Sequence, residues 1–193
     1  MSITSAKTGA TGISLALENN FMEPIASTLV GAGGVNTVIF NDIPQGYKHL
    51  QLRILTRASD SANMAGPIFR LNGDFASNYS YHLLTGNGAS IGAAGVANAS
   101  FMHFENVIAN TGIANSFGVY IIDILDYANT NKYKTARTLH GWDNNGSGTT
   151  YGQVGFHSAN WRANDPVTQI TASMFTSSSF MQYSRFSLYG IKG

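Results

Sequence analysis

Apolar and polar positions alternate in short runs along most of this chain, and clusters of Gly, Asn, Asp, Pro and Ser separate the runs. A period of two puts successive side chains on opposite faces of a strand, whereas a helix repeats about every 3.6 residues. Leu50, Leu52 and Ile54 share one face of His49 to Arg57, and His49, Gln51 and Arg53 share the other. Thr37 to Phe40 ends at Asn41-Asp42-Ile43-Pro44. Ile68 to Leu71 runs into Asn72-Gly73, the strongest short hairpin signal, because both residues tolerate positive φ. Tyr79 to Leu84 follows. Phe101 to Ile108, Thr135 to Trp142, Gln153 to His157, Val167 to Phe175 and Arg185 to Ile191 complete the set. Phe117 to Leu125 is the most apolar run and is expected in a central strand covered on both faces. Ala89 to Ala99, rich in Gly and Ala, holds nothing large to bury and reads as a surface loop.

Strands and turn signals recur near the ~8–12 residues of a sandwich or barrel. No helical period of useful length and no fixed repeat interrupts them. The pattern predicts an all-β protein, a jelly-roll-like antiparallel β-sandwich spanning 35–193. The first 34 residues read as an extended N-terminal arm. Met1 to Gly12 is small and polar, Ile13-Ser14-Leu15-Ala16-Leu17 alternates, Pro24 breaks Phe21 to Val30, and Gly31-Ala32-Gly33-Gly34 is a joint. Apolar arm residues, Leu15, Leu17, Phe21, Met22 and Ile25, need a surface to lie on, so they are the expected particle-binding residues.

Composition narrows the function classes. Charged residues make up 11% of the 193, against about 25% in ordinary domains. Eleven Lys and Arg face 10 Asp and Glu, for a net charge of +1, and the cations are scattered apart from Lys132, Lys134 and Arg137. A nucleic-acid binder concentrates its cations, so no nucleic-acid partner is expected. No run approaches the ~18 apolar residues of a membrane span, and the N-terminus lacks a secretory layout. The absence of cysteine excludes disulfides and thiolate chemistry and suits assembly in a reducing cytoplasm.

The catalytic and metal motifs are weak. Gly88-Ala89-Ser90-Ile91-Gly92 fits G-x-S-x-G, but a nucleophile elbow needs a helix after the serine, and Ala93-Ala94-Gly95-Val96-Ala97 has no helical period. Asp143-Asn144-Asn145-Gly146 lacks the distal acid of a calcium loop and reads as a turn. His49, His82, His103, His140 and His157 show no ligand spacing. Asp123 and Asp126 flank an apolar strand; a structural ion pair of Asp123 with Arg53, Arg57 or Arg137 is expected in place of a glycosidase pair. The reading is therefore of a protein that is not an enzyme and needs no cofactor. Trp142, Tyr151 and Trp161 are candidate interface or glycan-stacking aromatics.

Five segments carry a family likeness. Pro44-Gln45-Gly46-Tyr47-Lys48-His49-Leu50-Gln51-Leu52-Arg53 is followed by Phe69-Arg70-Leu71-Asn72-Gly73-Asp74 and Asn78-Tyr79-Ser80-Tyr81-His82. Later come Ile121 to Thr135 and the terminal Phe186-Ser187-Leu188-Tyr189-Gly190-Ile191-Lys192-Gly193. From about Phe21 onward the chain resembles a family of tailed-bacteriophage virion structural proteins. The resemblance implies a virion location, after assembly in the host bacterial cytoplasm, and a homotrimer. One arm and one compact module suit a capsid decoration (cement) or head-fibre protein whose partners are sister subunits and the major capsid protein or other virion proteins. The alternative is a tail-fibre or baseplate module that binds a host surface glycan.

Overall fold

The computed structural model describes residues 21–146, 148 and 150–193. Among these residues there are fourteen strands and no helix. In chain order the first seven are β1 (Met22–Leu29), β2 (Thr37–Phe40), β3 (His49–Thr56), β4 (Met64–Ala65), β5 (Pro67–Leu71), β6 (Tyr79–Gly86) and β7 (Ile91–Ala99). The rest are β8 (Met102–His103), β9 (Val107–Ile108), β10 (Gly118–Leu125), β11 (Lys134–Asp143), β12 (Gly152–Trp161), β13 (Ile170–Met174) and β14 (Arg185–Ile191). Every pairing is antiparallel, as the alternating patterns require.

The architecture is an all-β sandwich of unequal layers. Eight strands form the large sheet in the order β1-β14-β3-β10-β11-β12-β6-β7. Four form the small one, β2-β13-β5-β8, and β4 pairs with β9 beside them. The core lies between the layers: Phe69 of β5 packs edge-on against Tyr120 of β10 at 6.5 Å, and Phe104 meets both Phe69 at 5.4 Å and His157 of β12 at 5.9 Å. Leu50, Leu52 and Ile54 of β3 point into it, as their period of two predicts.

The chain passes back and forth between layers, which corrects one expectation. Asn72 and Gly73 do take positive φ, 50° and 64°, and Asp74 N donates to Leu71 O at 3.0 Å. Yet β5 before the turn lies in the small sheet and β6 after it in the large one, so the turn is a crossover and not a hairpin. The Asn72 side chain explains this. Its Oδ1 accepts from Thr168 N and Gln169 N, and its Nδ2 donates to Pro166 O, so it ties the turn to the segment before β13. Likewise Gly31 to Gly34 is a hydrogen-bonded turn that carries the chain from β1 to β2.

Three further expectations change. The boundary expected at residue 34 does not hold, because Met22–Leu29 pairs along β14 as an edge strand of the large sheet. Ile25 packs on the core, and the Sδ of Met22 accepts from Arg53, so both belong to the sheet and stay half-buried there. Phe21 remains exposed, and Leu15 and Leu17 lie outside the described residues. The stretch read as a loop over 89–99 contains β7, which is held by backbone pairing to β6 and needs no large side chain. Finally, β10 is central but covered on its inner face alone; Tyr120, Ile122 and Ile124 are buried, whereas Val119 and Ile121 face outward.

Candidate interaction surface

The outer face of the large sheet is built row by row from strand register. Leu55, Val119, Gly141, Val154, Gly86 and Ile91 lie side by side across β3, β10, β11, β12, β6 and β7. Two residues further along, Arg53, Ile121, Leu139, Phe156, Leu84 and Ala93 form the next row. The third row turns polar: Gln51, Asp123, Arg137, Ser158, His82 and Gly95. One end of the face is thus an apolar band and the other a hydrophilic margin.

The band is open to solvent. Phe156 is 58% exposed, Leu84 55% and Ile91 82%, with Leu55, Val119, Ile121, Leu139 and Val154 close to half exposed. Lone surface hydrophobics are ordinary, but a contiguous set is not. Fully burying such a side chain is worth about 1.5–3 kcal/mol, so covering these half-buried ones would contribute roughly 1 kcal/mol each before association costs. At its β3 side the band dips into a groove of about 560 Å³ lined by Arg53, Leu55, Val119, Ile121 and Tyr189. Arg53 stacks over the Tyr189 ring, which shields that flank.

The candidate polar residues are committed elsewhere. Asp123 sits in the hydrophilic margin, where it accepts from Gln51 Nε2 at 2.8 Å, and Gln51 Oε1 accepts from Arg53 Nε at 2.9 Å. This corrects the expected ion pair: an amide mediates between carboxylate and guanidinium. Arg57 is buried and unavailable to it, since its two terminal nitrogens donate to the carbonyls of Asn110, Gly112, Ile113 and Ser116. That clamp, which the sequence reading missed, orders the 110–116 segment. Asp126 closes the turn after β10 and pairs with Lys48 and Lys132, both exposed; these ammonium groups hold its carboxyl below the usual range.

Ser90 lies in the β6–β7 turn, where Asn87 Oδ1 caps the amides of Ala89 and Ser90, and a strand follows it instead of a helix. Asp143 Oδ1 accepts from Asn145 N at 2.7 Å, an Asx turn of the expected kind. Trp142 and Trp161 are buried on the inner face, which removes both from the glycan-stacking or interface role. Trp161 Nε1 donates to Asp74 Oδ2 at 2.7 Å, and Trp142 Nε1 has no partner. Tyr151 alone of the three stays partly exposed.

Register also brings two histidines together. His140 and His157, inward on β11 and β12, approach with Nδ1 of the first 3.0 Å from Nε2 of the second. Gly155 makes this possible, because a Cβ there would lie 2.3 Å from His140 Cε1. One neutral arrangement fits: His157 Nε2–H donates to His140 Nδ1, and His140 Nε2–H faces Gln153 Oε1 at 3.4 Å. His157 Nδ1 is then a bare acceptor without a partner. Burial pushes the pKa of His140 down to about 4 and that of His157 to about 3; charge on His103 opposes both, and charge on His140 also opposes that on His157. Among the described residues no group of three or more His, Asp or Glu is placed to hold a metal ion. No described helix is long and apolar enough to cross a membrane.

The chain matches no family model, no curated protein and no solved structure. The band was within reach of sequence reasoning. Phe117 to Leu125 is apolar at both parities, and Leu55, Leu139 and Phe156 occupy the outward parity of strands whose inward parity is already apolar. That double pattern signals a second covered face, from whatever source.

Proposed function

We propose that this chain is a structural protein of a tailed-phage virion, a capsid decoration or head-fibre subunit that assembles as a homotrimer and meets the shell through residues preceding its sheet. The observation that carries the structural reading is the apolar band on the outer face of the large sheet. Eight strands at ~4.8 Å spacing and about seven residues at ~3.4 Å rise give that face roughly 900 Å². A standard interface takes about 800 Å² from each partner, arranged as an apolar centre with a polar rim. Leu55 to Ile91 supply the centre, and Gln51, Asp123 and Arg137 supply the rim. The phage station rests on the family likeness of Pro44 to His82, Ile121 to Thr135 and Phe186 to Gly193. The burial of Trp142 and Trp161 weighs against the glycan-binding alternative.

Two measurements test this. Sedimentation of the purified chain should give a trimer, and a monomer at micromolar concentration would overturn the assembly. Counting copies in purified particles should give hundreds per virion. A handful would move the protein from shell to tail.

A further inference from the structure

The two edges of the large sheet are built differently. β1 carries Glu23 and Pro24 and a register shift between Pro24 and Ala26, all devices that blunt an edge against further pairing. β7, Ile91-Gly92-Ala93-Ala94-Gly95-Val96-Ala97-Asn98-Ala99, carries no charge and no proline; its own register shift lies at the far end, where Asn98 has φ 55°, so Ile91 to Val96 form a regular edge that is exposed throughout. It pairs with β6 on one side and ends the sheet on the other. Its outward-pointing amides and carbonyls therefore offer hydrogen bonds that suit an extended strand.

We infer that β7 is an acceptor edge for the segment Ile13-Ser14-Leu15-Ala16-Leu17 of a second copy of this chain. The inference rests on the self-association proposed above, names the contact that joins the copies, and moves Leu15 and Leu17 from the shell contact to a sister subunit. The segment is uncharged and alternating, and it lies outside the described residues. As an added strand it would place Ile13, Leu15 and Leu17 on one face, extending the apolar band beyond Ile91 and Ala93.

Reach selects the second copy over the chain's own edge. Leu17 is four residues before Phe21, which adjoins β1 at the opposite side of the sheet. Four residues span at most ~14 Å, and even Ile13 is at most ~28 Å away. Measured along the sheet, β1 and β7 are seven strand intervals apart, or about 34 Å. A neighbour whose β1 side faces β7 brings the same segment directly to that edge. Such a head-to-tail contact is heterologous and closes into a ring when the rotation per subunit fits.

The lack of cysteine makes the test clean. The full chain carrying Leu15→Cys is mixed with the full chain carrying Ala93→Cys and oxidised. The expected result is a mixed disulfide-linked dimer on a non-reducing gel, and a ladder up to a closed ring for the Leu15→Cys/Ala93→Cys double variant. A control pair, Leu15→Cys with Thr135→Cys on the polar end of the outer face, should give little product. A double variant that oxidises entirely within one chain, or cross-linking no better than the control, overturns the inference. Ala93→Lys with Ala97→Lys, both at exposed positions, should convert the assembly to monomer while circular dichroism shows an unchanged β spectrum. An assembly unchanged by those lysines also overturns it while leaving the band-mediated reading standing, whereas a monomeric unsubstituted chain sinks both.

Discussion

On the inner face of β10 sit Tyr120, Ile122 and Ile124, each almost fully buried, and between them in sequence, on the outer face, sit Val119 and Ile121, each nearly half exposed. The contrast extends across the sheet. Inside, large rings interlock: Tyr120 stacks on His140 at 5.4 Å and meets Phe69 edge-on. Outside, aliphatic side chains of similar size stand in rows with no described residue packed over them. The inner face stabilises the chain; the outer face leaves an apolar surface exposed, which would contribute only if covered. Hydropathy alone does not separate the two, because only the presence of an opposing layer decides which surface is core.

Substitutions and pH separate the faces, in descending size of effect. Tyr120→Ala should remove about 3–5 kcal/mol from unfolding in urea, since it opens a cavity and strands the Glu105 carbonyl that accepts its hydroxyl at 3.0 Å. A loss under ~1 kcal/mol would mean the inner packing is loose. Acid should act on the same inner face, with a loss that grows with each pH unit and at pH 4 rivals that of the substitution. Unfolded histidines bind protons near pH 6.5, but burial lowers His140 to about 4 and His157 to about 3, so the unfolded state takes up more protons as pH falls. Stability is therefore full above pH 6.5 and declines from there toward pH 4, by up to ~1.4 kcal/mol per pH unit for each histidine. A flat urea midpoint between pH 7 and 4.5 would break the assignment of a neutral buried pair.

Smaller effects sharpen the comparison. Thr138→Val removes a buried hydroxyl that has no partner on the inner face and should raise stability by about 1 kcal/mol, read as a higher thermal midpoint. Phe156→Ser on the outer face should leave dilute-chain stability within ~0.5 kcal/mol while weakening self-association in sedimentation. Should Phe156→Ser instead destabilise the separate chain as strongly as Tyr120→Ala, the outer band would belong to the core.

The sequence disclosed what depends on local period and hid what depends on the opposing layer. β3, β11 and β14 follow from alternation, and the Asn72 turn follows from two residues that accept positive φ. The destination of that turn did not, because Asn72 bonds residues nearly a hundred positions away. β7 escaped notice since an edge strand overhanging the smaller layer needs neither large nor β-branched side chains. Trp142 and Trp161 stood near turn signals yet occupy the inward parity of β11 and β12, a point that register alone decides. The band was half legible: Phe117 to Leu125 reads as covered on both faces, and the four-stranded layer covers one.

The Arg57 clamp gives the molecule a preferred order of opening. Burial lowers its pKa, but a guanidinium keeps its proton throughout the acid range. Its partners are uncharged carbonyls sheltered from salt, so neither acid nor ionic strength loosens segment 110–116. The histidine pair on β11 and β12 has no such immunity. As pH falls, amide hydrogens of β11 and β12 should exchange with solvent before those of the clamped loop, so the first breach in this sandwich opens beneath the apolar band and not at the sheet's periphery.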